Sequence, residues 1–342
     1  MKDLFTHIHE LSELDGISGR EDAVRSYILA ELSTSPAAID HTIDPAGNLL
    51  VKVTGQARAA KNVTFAAHMD EVGLIVTGIT DGGYLRFDTV GGITDAVLFG
   101  RRVRVNGHAG VIGGKAIHQC KGEEADKAPA ADSLLIDVGA ADKEAASTIA
   151  TPGDMVTFDT AFSELGPHRI CGKALDDRAG CALLLELVRD IPPYDLTLAF
   201  TTREEVGLLG AGVAGFHLRP DYAVIVDATT AADVAGSSPE TEVCRQTAGA
   251  VVSFMDRRTL YPHDLYHRIM TLSKERGIPA QPKTKVAGGN DAGAFQTAAG
   301  GTAVAAVSLP CRYLHSPCCV LHKEDVTATA ALLTALAGEL PQ

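Results

Sequence analysis

Residues 63–73, Val-Thr-Phe-Ala-Ala-His-Met-Asp-Glu-Val-Gly, join a run of β-type residues directly to polar side chains. The apolar run at 63–67 has the length of one buried strand. Similar runs occupy residues 196–200, 222–226 and 303–307. Helical spacing of apolar residues marks the segments 177–190, 206–215, 263–276 and 325–340. Strands that alternate with helices predict an α/β sheet with helices on its faces.

The middle of the chain has a different pattern. From about residue 71 to residue 164, short β-type runs are separated by glycine pairs and by Asp-Gly or Asn-Gly turns. Such a pattern is typical of a small β-barrel or sandwich-like module. We therefore predict an α/β protein with a mixed sheet flanked by helices. Residues 1–70 and 165–342 would form one domain, and residues 71–164 would form a β-rich insertion.

Composition excludes several classes of function. The chain has 342 residues, 46% of them hydrophobic, and a net charge of −13. An acidic chain of ordinary hydrophobicity is neither disordered nor suited to nucleic acid or to an anionic membrane surface. No apolar leader or membrane-spanning run is evident, and the seven cysteines lack the spacing of a disulfide framework. We expect a cytoplasmic protein with no nucleic-acid or membrane partner.

Acidic and histidine residues follow the predicted strands, at once or after a short loop. In open α/β sheets, ligands bind beyond the carboxyl ends of the strands, so these side chains should share one edge. A further pair of carboxylates opens the predicted helix at 177–190. The candidate residues are His68, Asp70, Asp176, Asp177, Glu204, Glu205, Asp227 and His315.

Imidazole and carboxylate together suit Zn²⁺, Co²⁺ or Mn²⁺. Five ligands exceed what one tetrahedral catalytic site uses, whereas two ions that share a carboxylate would use five. In the pair Glu204-Glu205, one carboxylate could bind metal while its neighbour acts as general base. Each residue alone also has an ordinary explanation, since Asp176-Asp177 could cap a helix and Asp227 could end a strand.

Five motifs with this order and spacing resemble the M42 family of metallo-aminopeptidases, the tetrahedral, glutamyl and deblocking aminopeptidases. The resemblance extends over nearly the whole chain. The motifs are His68-Met69-Asp70-Glu71-Val72-Gly73, Lys173-Ala174-Leu175-Asp176-Asp177-Arg178, Glu204-Glu205-Val206-Gly207, Val226-Asp227-Ala228 and His315-Ser316-Pro317.

The resemblance implies a role for each site residue. Asp176 would bridge two divalent ions, Zn²⁺ or Co²⁺, and Glu204 would be the general base for attack by a metal-bound hydroxide. Asp70 would orient His68, and a cis peptide would precede Asp177. The implied metal ligands are His68, Asp176, Glu205, Asp227 and His315.

The resemblance also implies a zinc-peptidase-like catalytic domain, with residues 71–164 as a dimerisation domain. Dimers would be the building blocks of a tetrahedral homododecamer that admits short peptides. The preferred first residue of the substrate stays open. Arg257, Arg258, Lys283 and Lys285 are candidates for an acid-selecting pocket, although Lys and Arg are mostly surface residues.

Two other functions fit the motifs. One is a related di-metal deacylase or carboxypeptidase acting on N-acyl amino acids, since His68-x-Asp70 and Glu204-Glu205 suit that chemistry too. The other is a non-catalytic scaffold that keeps the metal site for structure. A structural site has no use for the unliganded Glu204, so this residue distinguishes a scaffold from a hydrolase.

Overall fold

The computed structural model describes residues 1–122, 126–238 and 240–342. Its strands are β1 Ala38–Ile43, β2 Leu49–Thr54, β3 Val63–His68, β4 Gly73–Ile79, β5 Leu85–Val90, β6 Arg102–Val105, β7 His108–Gly113, β8 Leu135–Asp137, β9 Met155–Phe158, β10 Ser163–Leu165, β11 Arg169–Gly172, β12 Leu196–Thr201, β13 Tyr222–Thr230, β14 Ala250–Val252, β15 Ala280–Pro282, β16 Ala303–Cys311 and β17 Cys319–His322.

The α-helices within the described ranges are α1 Leu4–Glu13, α2 Asp22–Leu32, α3 Lys143–Ser147, α4 Leu175–Glu186, α5 Leu209–Leu218, α6 His263–Glu275, α7 Ala292–Phe295 and α8 Lys323–Glu339. None of these helices is long and apolar enough to cross a bilayer.

The main sheet has eight strands in the order β1-β2-β12-β3-β13-β16-β14-β15. Its four central strands, β12, β3, β13 and β16, are parallel. Strand β2 runs antiparallel to β1 and β12, whereas β14 runs antiparallel to β16 and parallel to β15. The sheet is therefore mixed and flanked by helices, as predicted. Parallel pairing aligns Thr201 with His68 and Asp227 with Ser308, which brings the polar residues of different strands to the same edge.

A closed barrel interrupts the α/β domain. Strands β4, β5, β8, β7, β6 and β9 form it, all between Gly73 and Phe158. Its interior is a separate apolar cluster that includes Leu74, Leu85 and Ile136, whereas the largest cluster packs the main sheet against α1, α2, α4, α6 and α8. The barrel therefore has a core of its own, and the fold class is the predicted one.

Several elements differ from the sequence prediction. The helix expected at 206–215 begins only at Leu209, because Gly207 and Leu208 have positive φ angles of 119° and 61° and form a turn. Asp227 does not end its strand, since β13 continues to Thr230. The edge strands β1, β14 and β15 and the three-stranded sheet β10-β11-β17 were not predicted. These strands are short or exposed, so they lack a clear apolar run.

Candidate metal centre

The candidate ligands come from four central strands and one helix. His68 is the last residue of β3, Glu205 follows β12, and Asp227 lies on β13. His315 lies in the loop between β16 and β17, with a positive φ of 53°. Asp176 has a non-helical backbone in the first turn of α4, and the peptide bond between Asp176 and Asp177 is cis, as the resemblance implied. The structure brings all five candidates together.

Asp176 faces both histidines. Its Oδ1 lies 3.3 Å from His68 Nε2, and its Oδ2 lies 3.4 Å from His315 Nε2. On the first side, Asp227 Oδ1 is 3.9 Å from His68 Nε2. On the second side, Glu205 Oε2 is 3.3 Å from His315 Nε2. The side chains thus form two groups, each with one imidazole and one further carboxylate, joined by Asp176.

The site is buried on one side and open on the other. The side chains of His68 and Glu205 are 3% exposed, whereas that of His315 is 35% exposed. A ligand would therefore enter past His315. His315 Nδ1 lies 3.1 Å from the carbonyl oxygen of Gly92, in the loop after β5, so the barrel segment contacts the site.

Burial and mutual repulsion dominate the electrostatics. Burial, followed by the charge of Asp176, raises the pKa of Glu205 to about 7 and that of Asp227 well above its usual range. Burial also raises the pKa of Glu204. Burial alone would lower the pKa of His315, but the hydrogen bond to Asp176 and the negative charges of Glu205 and Asp176 together outweigh it and raise that pKa to about 10. Two imidazoles therefore do not supply enough positive charge to keep all the carboxylates of the site ionised.

Asp70 organises the loops around the site. It is fully buried, and its Oδ1 and Oδ2 accept the backbone N–H groups of Glu204 and Glu205 at 3.1 and 3.2 Å. His68 Nδ1 lies 3.1 Å from the Asp70 carbonyl oxygen and 3.5 Å from Oδ1. Asp70 is therefore placed to orient His68 and, in addition, to fix the pair of glutamates. The second contact was not foreseen from the sequence.

Two further carboxylates at the site were not assigned a role from the sequence. Asp177 is fully buried, but its oxygens accept the backbone N–H groups of His68 and Gly180. Asp291 accepts the Thr201 hydroxyl at 2.6 Å, and within the described residues its Oδ1 has no hydrogen-bond partner. The motif Asn290-Asp291, in a glycine-rich loop, was the sequence feature that could have pointed to Asp291 as a site residue.

The donor set fits divalent cations. Ligand atoms of His68, Asp176 and Glu205 all lie within 4.8 Å of one another, and so do those of His68, Asp177 and Asp227. Nitrogen and carboxylate oxygen are the donors that Zn²⁺ and similar ions take in catalytic sites. Cations would also neutralise the carboxylates that repel one another. Fold and site together define a metal-dependent hydrolase, in which the strand ends, the loops that follow them and the first turn of α4 supply the candidate ligands.

Comparison with known proteins identifies the family. Residues 47–332 match the M42 glutamyl aminopeptidase family. The glutamyl aminopeptidase of Lactococcus lactis subsp. cremoris is 30% identical over 358 residues, which cover 99% of this chain and 97% of that protein. The structure of the aminopeptidase APDkam598 of Desulfurococcus kamchatkensis superposes with a TM-score of 0.92 at 33% identity. This match covers 98% of the present chain and 94% of the APDkam598 chain.

The TET1 peptidase of Pyrococcus horikoshii, which can assemble into a tetrahedron or a large octahedral shell, has a TM-score of 0.87 at 35% identity. The match covers 98% of this chain and all of that one. The chain belongs to the M42 glutamyl aminopeptidase family. It is accordingly a hydrolase of the aminopeptidase class, and the deacylase and scaffold alternatives are not favoured.

Proposed function

We propose that this aminopeptidase removes N-terminal residues from short peptides with two divalent ions, Zn²⁺ or Co²⁺. His68 and Asp227 would hold one ion, His315 and Glu205 would hold the other, and Asp176 would bridge them. The observation that carries this proposal is the position of the Asp176 carboxylate, with one oxygen 3.3 Å from one histidine and the other 3.4 Å from the second.

The bound ions would polarise the scissile carbonyl and lower the pKa of water, which is the chemistry that two-metal sites supply. The protein would contribute a proton carrier. Burial raises the pKa of Glu204, which makes its ionised form a stronger base. That carboxylate would accept a proton from water and return it to the leaving amine. Asp70 holds the backbone of Glu204 and Glu205 and so fixes their separate directions.

We further propose that the chain assembles as a homo-oligomer built from dimers, and that a tetrahedral dodecamer is its complete form. Residues 71–164 would be the dimerisation domain. A group of exposed apolar side chains supports an assembly. These side chains are 39–74% exposed and lie on two loops that meet where the Arg257 N–H donates to the Gly288 carbonyl oxygen. They belong to Phe254, Met255, Leu260 and Val286. Exposed apolar patches of this kind often mark protein interfaces.

The variant Glu204→Gln tests the proposed mechanism, with Glu205→Gln as its matched neighbour. Removal of a general base typically costs about 10²- to 10⁴-fold in rate. We expect Glu204→Gln to lose that much kcat on aminoacyl p-nitroanilides while it keeps two ions per subunit, measured by elemental analysis. Glu205→Gln should lose metal, because its carboxylate lies 3.3 Å from His315.

The reverse pattern, with metal lost from Glu204→Gln and retained by Glu205→Gln, would show that the roles of the two glutamates are exchanged. Hydrolysis of N-acetylated amino acids and of no substrate with a free amine would instead contradict the aminopeptidase assignment.

A further inference from the structure

Helix α6 begins with two histidines four positions apart, in the sequence His263-Asp264-Leu265-Tyr266-His267. Residues with this spacing are neighbours on one face of a helix, with Cβ atoms about 5–6 Å apart. Two histidines at the same spacing on a helix are a known way to hold Zn²⁺. The metal centre described above uses no residue of α6, so this histidine pair is a separate cluster.

The two imidazole rings lie side by side in the folded chain. Their centroids are 4.2 Å apart, and the ring planes make an angle of 57°. Both residues are exposed, and the side chain of His263 is 80% accessible to solvent. Because Zn²⁺ binds imidazole nitrogen at about 2.0–2.1 Å, one ion from solvent could contact both rings without a change in the fold.

The helix and a neighbouring ring hold the pair in place. Leu265 and Ile269 are buried in the core, which fixes the backbone of α6. The Tyr266 ring meets the His267 ring edge-on, with centroids 5.2 Å apart, and also meets the Phe254 ring edge-on at 5.9 Å. A side chain that is already ordered loses less conformational entropy when it binds a ligand. The histidine pair is therefore partly preorganised.

Asp264 determines which nitrogen of His263 is free. Its Oδ1 lies 3.2 Å from His263 Nδ1. An ionised carboxylate only accepts hydrogen bonds, so Nδ1 donates and Nε2 keeps its lone pair for a metal ion. Metal-bound histidines almost always have such a partner on their other ring nitrogen. The negative charge of Asp264 also offsets the positive end of the helix dipole, which would disfavour a cation there.

The donor set favours a transition metal. Among the described residues, every group of three or more side chains that could hold one ion lies around His68, so water would complete the coordination at α6. Imidazole suits Zn²⁺, Ni²⁺ and Cu²⁺, whereas Mg²⁺ and Ca²⁺ prefer oxygen ligands.

We propose that His263 and His267 form a second transition-metal site, in which Asp264 orients His263. The site binds its ion more weakly than the metal centre, because the chain supplies only two ligands. It takes no part in peptide hydrolysis, and the inference does not depend on the proposed function.

The test is a titration with Zn²⁺. The protein is loaded with Zn²⁺ and dialysed, the remaining ions are counted by elemental analysis, and further binding is measured by calorimetry. We expect the wild type to bind one more ion than His263→Ala or His267→Ala at about 0.1 mM Zn²⁺. Asp264→Asn should weaken this binding by about 10- to 100-fold. His217→Ala is the matched control, because His217 is exposed near the end of α5 with no histidine four positions away, and it should bind like the wild type.

Modification of histidines by diethyl pyrocarbonate gives a measurement that needs no variant. We expect added Zn²⁺ to slow the modification of His263 and His267 but not that of His217, as measured by mass spectrometry of peptides. Equal numbers of bound ions in the wild type and both histidine variants, or no protection by Zn²⁺, would overturn the proposal. A protein that retains no ions after dialysis would instead contradict the proposed function, since the difference of one ion between the wild type and His267→Ala would remain.

Discussion

Replacement of Lys173 by Met should destabilise the α/β domain strongly. Lys173 Nζ donates to Glu71 Oε1 and Oε2 at 2.8 and 3.1 Å and to Leu14 O at 2.7 Å. Both side chains of the ion pair are 2% exposed. Removal of one partner of a buried pair leaves an uncompensated charge and costs about 3–5 kcal/mol.

Other contacts of Glu71 set the magnitude within that range. Glu71 Oε1 keeps the Gly16 N–H at 3.1 Å and the Arg178 guanidinium at 3.4 Å. We therefore expect a loss of about 3 kcal/mol, at the lower end of the range. The double variant Lys173→Met with Glu71→Leu should lose less than the sum of the two single variants, because it leaves neither charge buried alone.

The assay is equilibrium urea unfolding followed by circular dichroism at 222 nm, since the chain has no tryptophan. Lys285→Met, at an exposed position, is the control and should lie within about 0.5 kcal/mol of the wild type. A loss below about 1 kcal/mol for Lys173→Met, or strictly additive losses in the double variant, would refute the view that this buried pair stabilises the α/β domain.

Two further predictions concern the metal centre. Asp70→Asn should lower metal affinity or kcat by about 10- to 100-fold, because Asp70 is placed to orient His68 and accepts the backbone N–H groups of both glutamates. Metal titration and steady-state rates measure this, and unchanged values would contradict the proposed role. Metal affinity should rise with pH: without metal, the pKa of His315 is about 10 and that of Glu205 about 7, so protons compete with the ion below those values. Calorimetry should show that metal affinity falls by about tenfold or more for each pH unit between pH 8 and pH 6, and that metal binding releases protons. A metal affinity that does not depend on pH would refute the assignment of these residues as ligands.

Much of the framework could be predicted from local patterns. Four apolar runs correspond to the central parallel strands of the sheet, because a strand buried on both faces is a nearly continuous run of apolar residues. These runs are 63–67, 196–200, 222–226 and 303–307. The strand that carries Asp227 was predicted too short, because polar residues that lie inside a buried strand look like its end. Most candidate site residues were found by their position after these runs, whereas Asp176 and Asp177 were found as a carboxylate pair that opens a predicted helix.

The tertiary contacts of buried polar groups could not be predicted from those patterns. Arg178 is fully buried and donates to the carbonyl oxygens of Met69, Leu11 and Gly16, residues more than 100 positions away. Nothing in the local sequence distinguishes it from an exposed arginine after a helix cap. The same holds for Lys283, whose burial depends on strands β14 and β15 at the edge of the sheet.

Local patterns were enough to predict the fold class, the inserted β-rich module and the candidate ligands, because periodicity and residue type can be read from short stretches of the chain. The folded chain was needed to see that one carboxylate faces two histidines and that Asp70 holds the backbone of both glutamates. It also showed that one of four candidate cations, Lys283, is buried without an ion pair among the described residues. These features could not be predicted, because distances, desolvation and hydrogen-bond partners depend on contacts between segments that are remote in sequence.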